Sequence, residues 1–382
     1  MRVLVTFAGG TGHFLPTLPY ARQLRARSHE VRYACQQAML AVVQAAGFPA
    51  VDTGGATLLP PDERRPLAPV DRTHEQRVVA DFFIAHVGTE RAARTSALIA
   101  QWRPDLVLRD EMDVGAGVAA EAAGIPSADV SVIAAGGFLD TERLRPPMEQ
   151  LRARHGLPRN PATPPLHGDL TLDPVPPGLR DPADPLTDTA IAVRPPILDD
   201  LVLRDPASPV RQDARRSLYL TLGTIFAQES GDLFLRVLAG LRDLDVDVLV
   251  TVGRELDPAE LGPQPEHIRV ERFVPLPEAL LGRDLVVSHA GSGTVVATLA
   301  LGLPSLLLPM GADQPWTADR CRALGVSRVL DPLTCSSTDV TTTVLALLDD
   351  SPEQHAALAI AQQTAELPTT ADAAGMLERL AR

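Results

Sequence analysis

Apolar positions along the chain follow two alternating periods. Short runs of strand-forming residues give way to stretches whose apolar residues recur at helical spacing. The first run, Arg2–Phe7 (RVLVTF), leads through a glycine turn to a stretch with Leu15, Leu18, Ala21 and Leu24 on one helical face. His29–Cys35 predicts a second strand, and Met39–Gly47 a second helix with Gly47 as its stop. A helix ending near Trp102 precedes the strand Pro104–Asp110, and Val114–Pro126 predicts a helix closed by Gly-Ile-Pro. The alternation returns with strand Ser217–Thr224, helix Asp232–Leu241, strand Val246–Gly253 and strand Asp284–His289. A helix after Thr294, the strand PSLLLP, the helix Gln314–Gly325 and the short strand SRVL follow, and three helical patterns finish the chain. Strands alternating with helices predict βαβ units and parallel sheets.

Between Phe138 and about Arg216 the periodicity weakens and proline is frequent. Proline fixes φ and removes a donor, so neither long helices nor central strands are expected there. AVRPPILDDLVLRDPASP reads as the connection between two domains. The expected fold class is therefore α/β, with two doubly wound domains and ligands at the carboxyl ends of strands and in the cleft between them.

At 382 residues the chain suits two domains better than one. A hydrophobic content of 45% supports a sizeable core. The net charge is −13, and all 35 basic residues are Arg. That balance argues against nucleic acid as the main partner, which needs a basic face. A small anionic ligand needs only local positive potential. Cys35, Cys321 and Cys335 lie far apart and outline neither a disulfide framework nor a zinc site. The N-terminus reads as a first strand rather than a signal peptide, and no apolar run is long enough to span a bilayer. A soluble, cytoplasmic protein is expected.

Two glycine loops carry candidate chemistry. AGGTGHFLP (Ala8 to Pro16) has the Gly10-x-Gly12 of a dinucleotide fingerprint, but Leu15 holds the third glycine position. The acidic residue expected after the second strand is also absent, which argues against hydride transfer. The loop places His13 at the mouth of a strand-to-helix turn, where open α/β sheets bind ligands; a structural histidine is the competing reading. In HAGSGT, Gly291, Ser292, Gly293 and Thr294 lead into a helix whose first N–H groups lack partners. A phosphate suits that place, with His289 adding a hydrogen bond. A tight turn with a Thr N-cap and a buried His fits the same residues. Neither a GxSxG elbow nor a P-loop lysine is present.

Taken together, GHFLP, PDLVLRD, LYLTLGT, RFVPLPEALL and HAGSGTVVATLALGLPSLLLPMGADQPWTADR resemble a family-1 glycosyltransferase of the GT-B type. The likeness is to bacterial enzymes that decorate antibiotics and other aromatic or polyketide natural products. It implies two Rossmann-like domains facing across a cleft. Residues 1–205 would bind the acceptor and 206–365 the nucleotide sugar, while 366–382 would form a helix crossing back to the first domain. By this resemblance His13 is the general base and Asp110 holds its imidazole, with Asp113 as the rival carboxylate and pairing to Arg109 or helix capping as a structural alternative for Asp110. Thr224, His289, Ser292, Gly293 and Thr294 would hold the diphosphate. Val274 would meet the pyrimidine base, and Asp313 and Gln314 the sugar hydroxyls. No metal is implied; helix dipole and side-chain donors stabilise the leaving group. The reaction expected is a single inverting displacement.

Relatives that use UDP-sugars often carry Glu where this chain has Ala297, and that Glu accepts from the ribose hydroxyls. Its loss favours a dTDP-sugar over a UDP-sugar as co-substrate, with a deoxyhexose as the sugar. Phe82, Phe83, His86 and Phe138 are candidates to line a pocket for a hydrophobic aglycone, and each also suits the core. A homodimer is compatible with this reading. Two alternatives stay open: a GT-B sugar-nucleotide 2-epimerase, and a catalytically silent partner of another glycosyltransferase.

Overall fold

The computed structural model describes residues 1–57, 65–158, 166–202, 215–223 and 226–382. Two parallel sheets organise it. The first is built from β1 (Arg2–Thr6), β2 (Glu30–Cys35), β3 (Ala50–Asp52), β4 (Leu106–Asp110), β5 (Ser127–Val130), β6 (Leu170–Asp173) and β7 (Ala190–Ala192), in the spatial order β3-β2-β1-β4-β5-β6-β7. The second contains β8 (Arg216–Thr221), β9 (Val246–Thr251), β10 (Ile268–Glu271), β11 (Leu285–Ser288), β12 (Ser305–Leu307) and β13 (Ser327–Val329), in the order β10-β9-β8-β11-β12-β13. Both orders reverse direction beside their first strand. The switch points, β1/β4 and β8/β11, are where doubly wound sheets open a crevice for ligands. Val3, Leu4 and Val5 on β1 and Val286 and Val287 on β11 are wholly buried, because helices cover both faces.

The two halves share core. Ala134, Val175 and Leu179 from the first domain pack with Ala290, Val295, Leu299 and Cys321 from the second. The final helix, Thr370–Leu380, lies on the first domain, where Ala373, Ala374 and Leu377 join the cluster of Val3, Val5, Tyr20 and Leu24. Glu378 fixes its end, with an oxygen 2.8 Å from His29 Nε2 and another accepting from Arg27 at 3.2 Å. The expected boundary at 205/206 lies outside the described residues. Among those residues no helix is long and apolar enough to cross a membrane.

Three expectations need correction. The proline-rich stretch contains the helix Thr141–Arg154 with Pro146 and Pro147 inside it, as well as β6 and β7. Each interior proline costs about 3 kcal/mol. An N-cap from Asp140 and burial of Leu144, Met148 and Leu151 offset that cost, each apolar side chain contributing roughly 1.5–3 kcal/mol. In the first helix, Thr11–Ala26, Leu15 is 54% exposed, and the buried face is Phe14, Leu18, Ala21 and Leu24. Thr294 is not an N-cap: the helix Ser292–Ala300 begins earlier, after Gly291.

Candidate active site

At the β1/β4 switch point the backbone leaves β1 through Ala8–Gly10 and enters the first helix, so His13 sits in its first turn. Its Nδ1 lies 2.6 Å from Asp110 Oδ2, and the other carboxylate oxygen accepts the N–H of Ala8 at 3.0 Å. Asp110 is fully buried at the end of β4, whereas the His13 side chain keeps 22% exposure. Gly9 makes room for the ring: it has φ +147°, and a Cβ there would meet His13 Cδ2 at 2.1 Å. Burial alone would lower the imidazole pKa. The charge and hydrogen bond of Asp110 outweigh it and raise the value above 6.5, helped by Asp313 and Glu111. With Asp110 ionised, Nδ1 carries the proton and Nε2 keeps its lone pair for a proton arriving from the cleft.

The rival carboxylate is committed elsewhere. Asp113 is buried against Arg91, which donates from Nε at 2.9 Å and from Nη2, and it also caps the next helix through Ala116. Burial would raise its pKa, but Arg91 holds it below the usual carboxylate range. Arg109 turns away from Asp110's carboxylate and donates to the carbonyls of Glu111 and Leu166.

At the β8/β11 switch point His289 follows β11 and is 9% exposed. Gly223 and Gly291 flank its ring, since a Cβ on either would stand 2.6 or 2.4 Å from Nε2. Burial depresses its pKa to about 4, so the ring is neutral at physiological pH. Its Nδ1 has no protein partner among the described residues. The helix Ser292–Ala300 starts here without a side-chain cap, and a Cβ on Gly293 would meet nothing within 4 Å. An uncapped helix N-terminus under open space suits an anion.

The two centres face one another. Ser292 Oγ accepts the N–H of Ala134, from the loop after β5, at 2.9 Å and donates to Asp313 Oδ2 at 2.5 Å. Ser292 therefore links its helix to the first domain, and Asp313 adds to the field at His13. Burial raises its own pKa despite the Ser292 bond. Gln314, 2% exposed, uses Oε1 to accept from Met310 and Gly311, which leaves its amide nitrogen for a ligand. Val274 is half-buried in the turn after β10. Thr224 lies outside the described residues.

Comparison with known proteins places this geometry. Residues 235–380 match the profile of the erythromycin biosynthesis protein CIII-like C-terminal domain. Tylactone mycaminosyltransferase of Streptomyces fradiae is 30% identical over 430 residues, covering 100% of this chain and 92% of the relative. The chain belongs to the family-1 glycosyltransferases of the GT-B type. A second relative, 10-deoxymethynolide desosaminyltransferase of Streptomyces venezuelae, is 28% identical and covers 100% of this chain and 97% of its own. The crystal structure of glycosyltransferase SnogD from Streptomyces nogalater superposes with a TM-score of 0.74 at 27% identity, covering 100% of this chain and 99% of the other. This chain is thus a natural-product glycosyltransferase.

The glycosyltransferase carries its apolar candidates on an uncommon element. Phe82, Phe83 and His86 lie on a π-helical segment, Val79–Gly88, inserted between the helices Arg72–Val78 and Thr89–Trp102. Such wide turns recur at functional sites. The Phe83 ring is 6.0 Å from that of His13 and 5.3 Å from Phe82, while Phe82 stands 6.1 Å from His86. Phe83 alone of the three stands beside His13, with Phe82 packed on it and His86 exposed beyond. Phe138 is 6% exposed, packs edge-on to Trp316 of the second domain at 5.2 Å, and belongs to the core cluster against which Phe83 also packs.

Sequence reasoning missed several contributors. Glu111 Oε1 accepts from Val132 and Ile133 and so fixes the loop that brings Ala134 to Ser292. Phe226 stands 6.5 Å from His289, and Glu75 reaches the Gly311–Ala312 backbone from the first domain. The acidic run RDEMD signalled that something needed carboxylates at the end of β4, but not which acid met which partner.

Proposed function

We propose that this glycosyltransferase transfers a deoxyhexose from a dTDP-sugar to a hydroxyl or ring carbon of an aromatic or polyketide aglycone, with inversion and with His13 as base. The observation carrying this is the 2.6 Å contact of His13 Nδ1 with a fully buried Asp110 beside the open cleft. The acceptor would give its proton to His13 Nε2 as it attacks the anomeric carbon, and the bond from that carbon to the diphosphate would break on the opposite side. Negative charge developing on the diphosphate would fall on the uncapped N–H groups of Gly293 and Thr294, on His289 and on Thr224. The amide of Gln314 and the free oxygen of Asp313 would read ring hydroxyls, and the backbone at Val274 the pyrimidine. Phe82, Phe83 and His86 would cover the aglycone. The place of work is the cytoplasm.

Ala297 supports the thymidine donor, since it offers no carboxylate to a ribose 2′-hydroxyl. It is 5% exposed and packs with Tyr219 and Ala279, so a Glu placed there would be buried. The cleaner test leaves the chain intact. Wild-type protein is incubated with dTDP- and UDP-sugars, with and without aglycones, and free nucleoside diphosphate is followed. The proposal requires acceptor-dependent release with dTDP-sugars favoured. Release without acceptor, or a preference for UDP-sugars, would contradict it.

A further inference from the structure

One stretch of the first domain crosses to the second and has no part in the transfer just described. Residues 65–78 run between two second-domain loops beside the His289 centre. At one end the chain lies on the loop after β8. There the N–H of Arg65 donates to the Gln228 carbonyl at 2.8 Å, and the N–H of Gly231 donates to the Arg65 carbonyl at 3.2 Å. Leu67, half-buried, packs against the second-domain core cluster that includes Leu233 and Phe234. At the other end Arg72 reaches the helix Gln314–Ala323. It pairs with Asp319, donates to the Pro315 carbonyl at 3.4 Å and lies 4.8 Å from the centroid of the Trp316 ring. Glu75 accepts the N–H of Ala312.

Both footholds are shaped by glycine. A Cβ on Gly231, which has φ +52°, would stand 2.9 Å from the Leu67 nitrogen. A Cβ on Gly311 would stand 3.2 Å from Glu75 Oε1 and 2.7 Å from the Phe226 ring, which is itself 6.5 Å from the ring of His289. Between its footholds the stretch therefore passes beside Phe226, at the mouth of the His289 centre.

What holds this stretch differs from what holds its continuation. None of Arg72–Val78 is buried, whereas the next two residues, Val79 and Ala80, belong to a first-domain core cluster. The Arg72–Asp319 pair is solvent-exposed at both partners, and such pairs add little to stability. Apart from Leu67 and the Arg72–Trp316 stack, the contacts with the second domain are hydrogen bonds and an ion pair that water can replace. A segment so held opens more readily than the core it leaves. The helix runs on without a break into the segment that carries Phe83, which places the hinge at Val78–Val79.

We propose that residues 65–78 form a lid on the nucleotide site, hinged at Val78–Val79, which must lift for the nucleoside diphosphate to leave and for the next donor to enter. This rests on the nucleotide-sugar reading above and adds a gate to it.

The test uses the full chain and two variants outside the proposed catalytic and binding residues, Leu67→Ser and Arg72→Ala. Association and dissociation of free dTDP are followed by stopped-flow fluorescence, with UDP in parallel, and hydrogen exchange is read along residues 65–78 and along β8. A gate that stands open more often speeds passage in both directions. Each variant should therefore raise the association and the dissociation rate together by roughly 10-fold, with Kd within about threefold of wild type. Exchange should quicken in residues 65–78 and stay unchanged in β8, which reports that the fold is intact. Unchanged rates would make the stretch a fixed wall. Faster dissociation alone, with weaker Kd, would make it part of the binding surface, and unchanged exchange would show that these contacts do not hold it closed; each result overturns the lid and leaves the transferase reading standing. A wild type that binds neither dTDP nor UDP would remove the nucleotide reading and the lid with it.

Discussion

Asp110 and Asp113 stand on one turn after β4 and do different work. Asp110 closes the strand and meets His13, while Asp113 neutralises the buried Arg91 and caps a helix. Sequence alone left them as rivals because Arg91 is distant along the chain, and contact with it exists only after folding. The base reading has a pH consequence. Only neutral His13 can take a proton, so kcat/KM should be low at acid pH and rise as pH passes the imidazole pKa. Because Asp110 raises that pKa, the acid limb should lie above 6.5. In Asp110→Asn the lowering effect of burial goes unopposed by that charge. The limb should then move to lower pH, and the plateau should fall because the ring loses its holder. A pH profile of kcat/KM for both proteins checks this, and an unmoved limb would contradict the pairing.

Among the elements, a helix after the glycine turn was legible in the sequence, although its start was misplaced at Thr294 and the structure begins it at Ser292. That error came from weighing Thr as a cap, whereas the structure leaves the helix uncapped and open above Gly293. Gly293→Val should fold normally, since its Cβ has free space. Calorimetry with free dTDP should show it and His289→Ala binding roughly 10–100-fold more weakly, as expected for lost charged hydrogen bonds. Unchanged affinity in both would make the loop a plain turn. The helix Thr141–Arg154 was not legible, because proline chemistry argued against it and only tertiary burial of Leu144, Met148 and Leu151 reverses the balance. The π-helical turn under Phe82 and Phe83 was equally unreadable, since its apolar residues also suit an ordinary helix.

At the scale of the whole molecule, alternating strand and helix periods were enough to anticipate two parallel sheets, and the two switch points follow from strand order. What joins the halves was hidden: Ala134 to Ser292, Phe138 to Trp316 and Glu75 to Ala312 are contacts between distant segments with no periodic signal. The last helix braces the first domain through Leu377, which is fully buried. Leu377→Ala should cost about 2–5 kcal/mol in urea unfolding, and a loss well under 1 kcal/mol would mean the helix is only loosely docked. On the proposed mechanism, domain pairing matters because it would bring a base from one sheet to a leaving-group site on the other. The most direct test of that arrangement is the turnover of His13→Ala with acceptor phenols of graded acidity. With an un-ionised acceptor, turnover should drop by roughly 10²–10⁴-fold, and the deficit should shrink as the phenol becomes acidic enough to arrive ionised. Near-normal turnover of the un-ionised acceptor in His13→Ala would contradict the account.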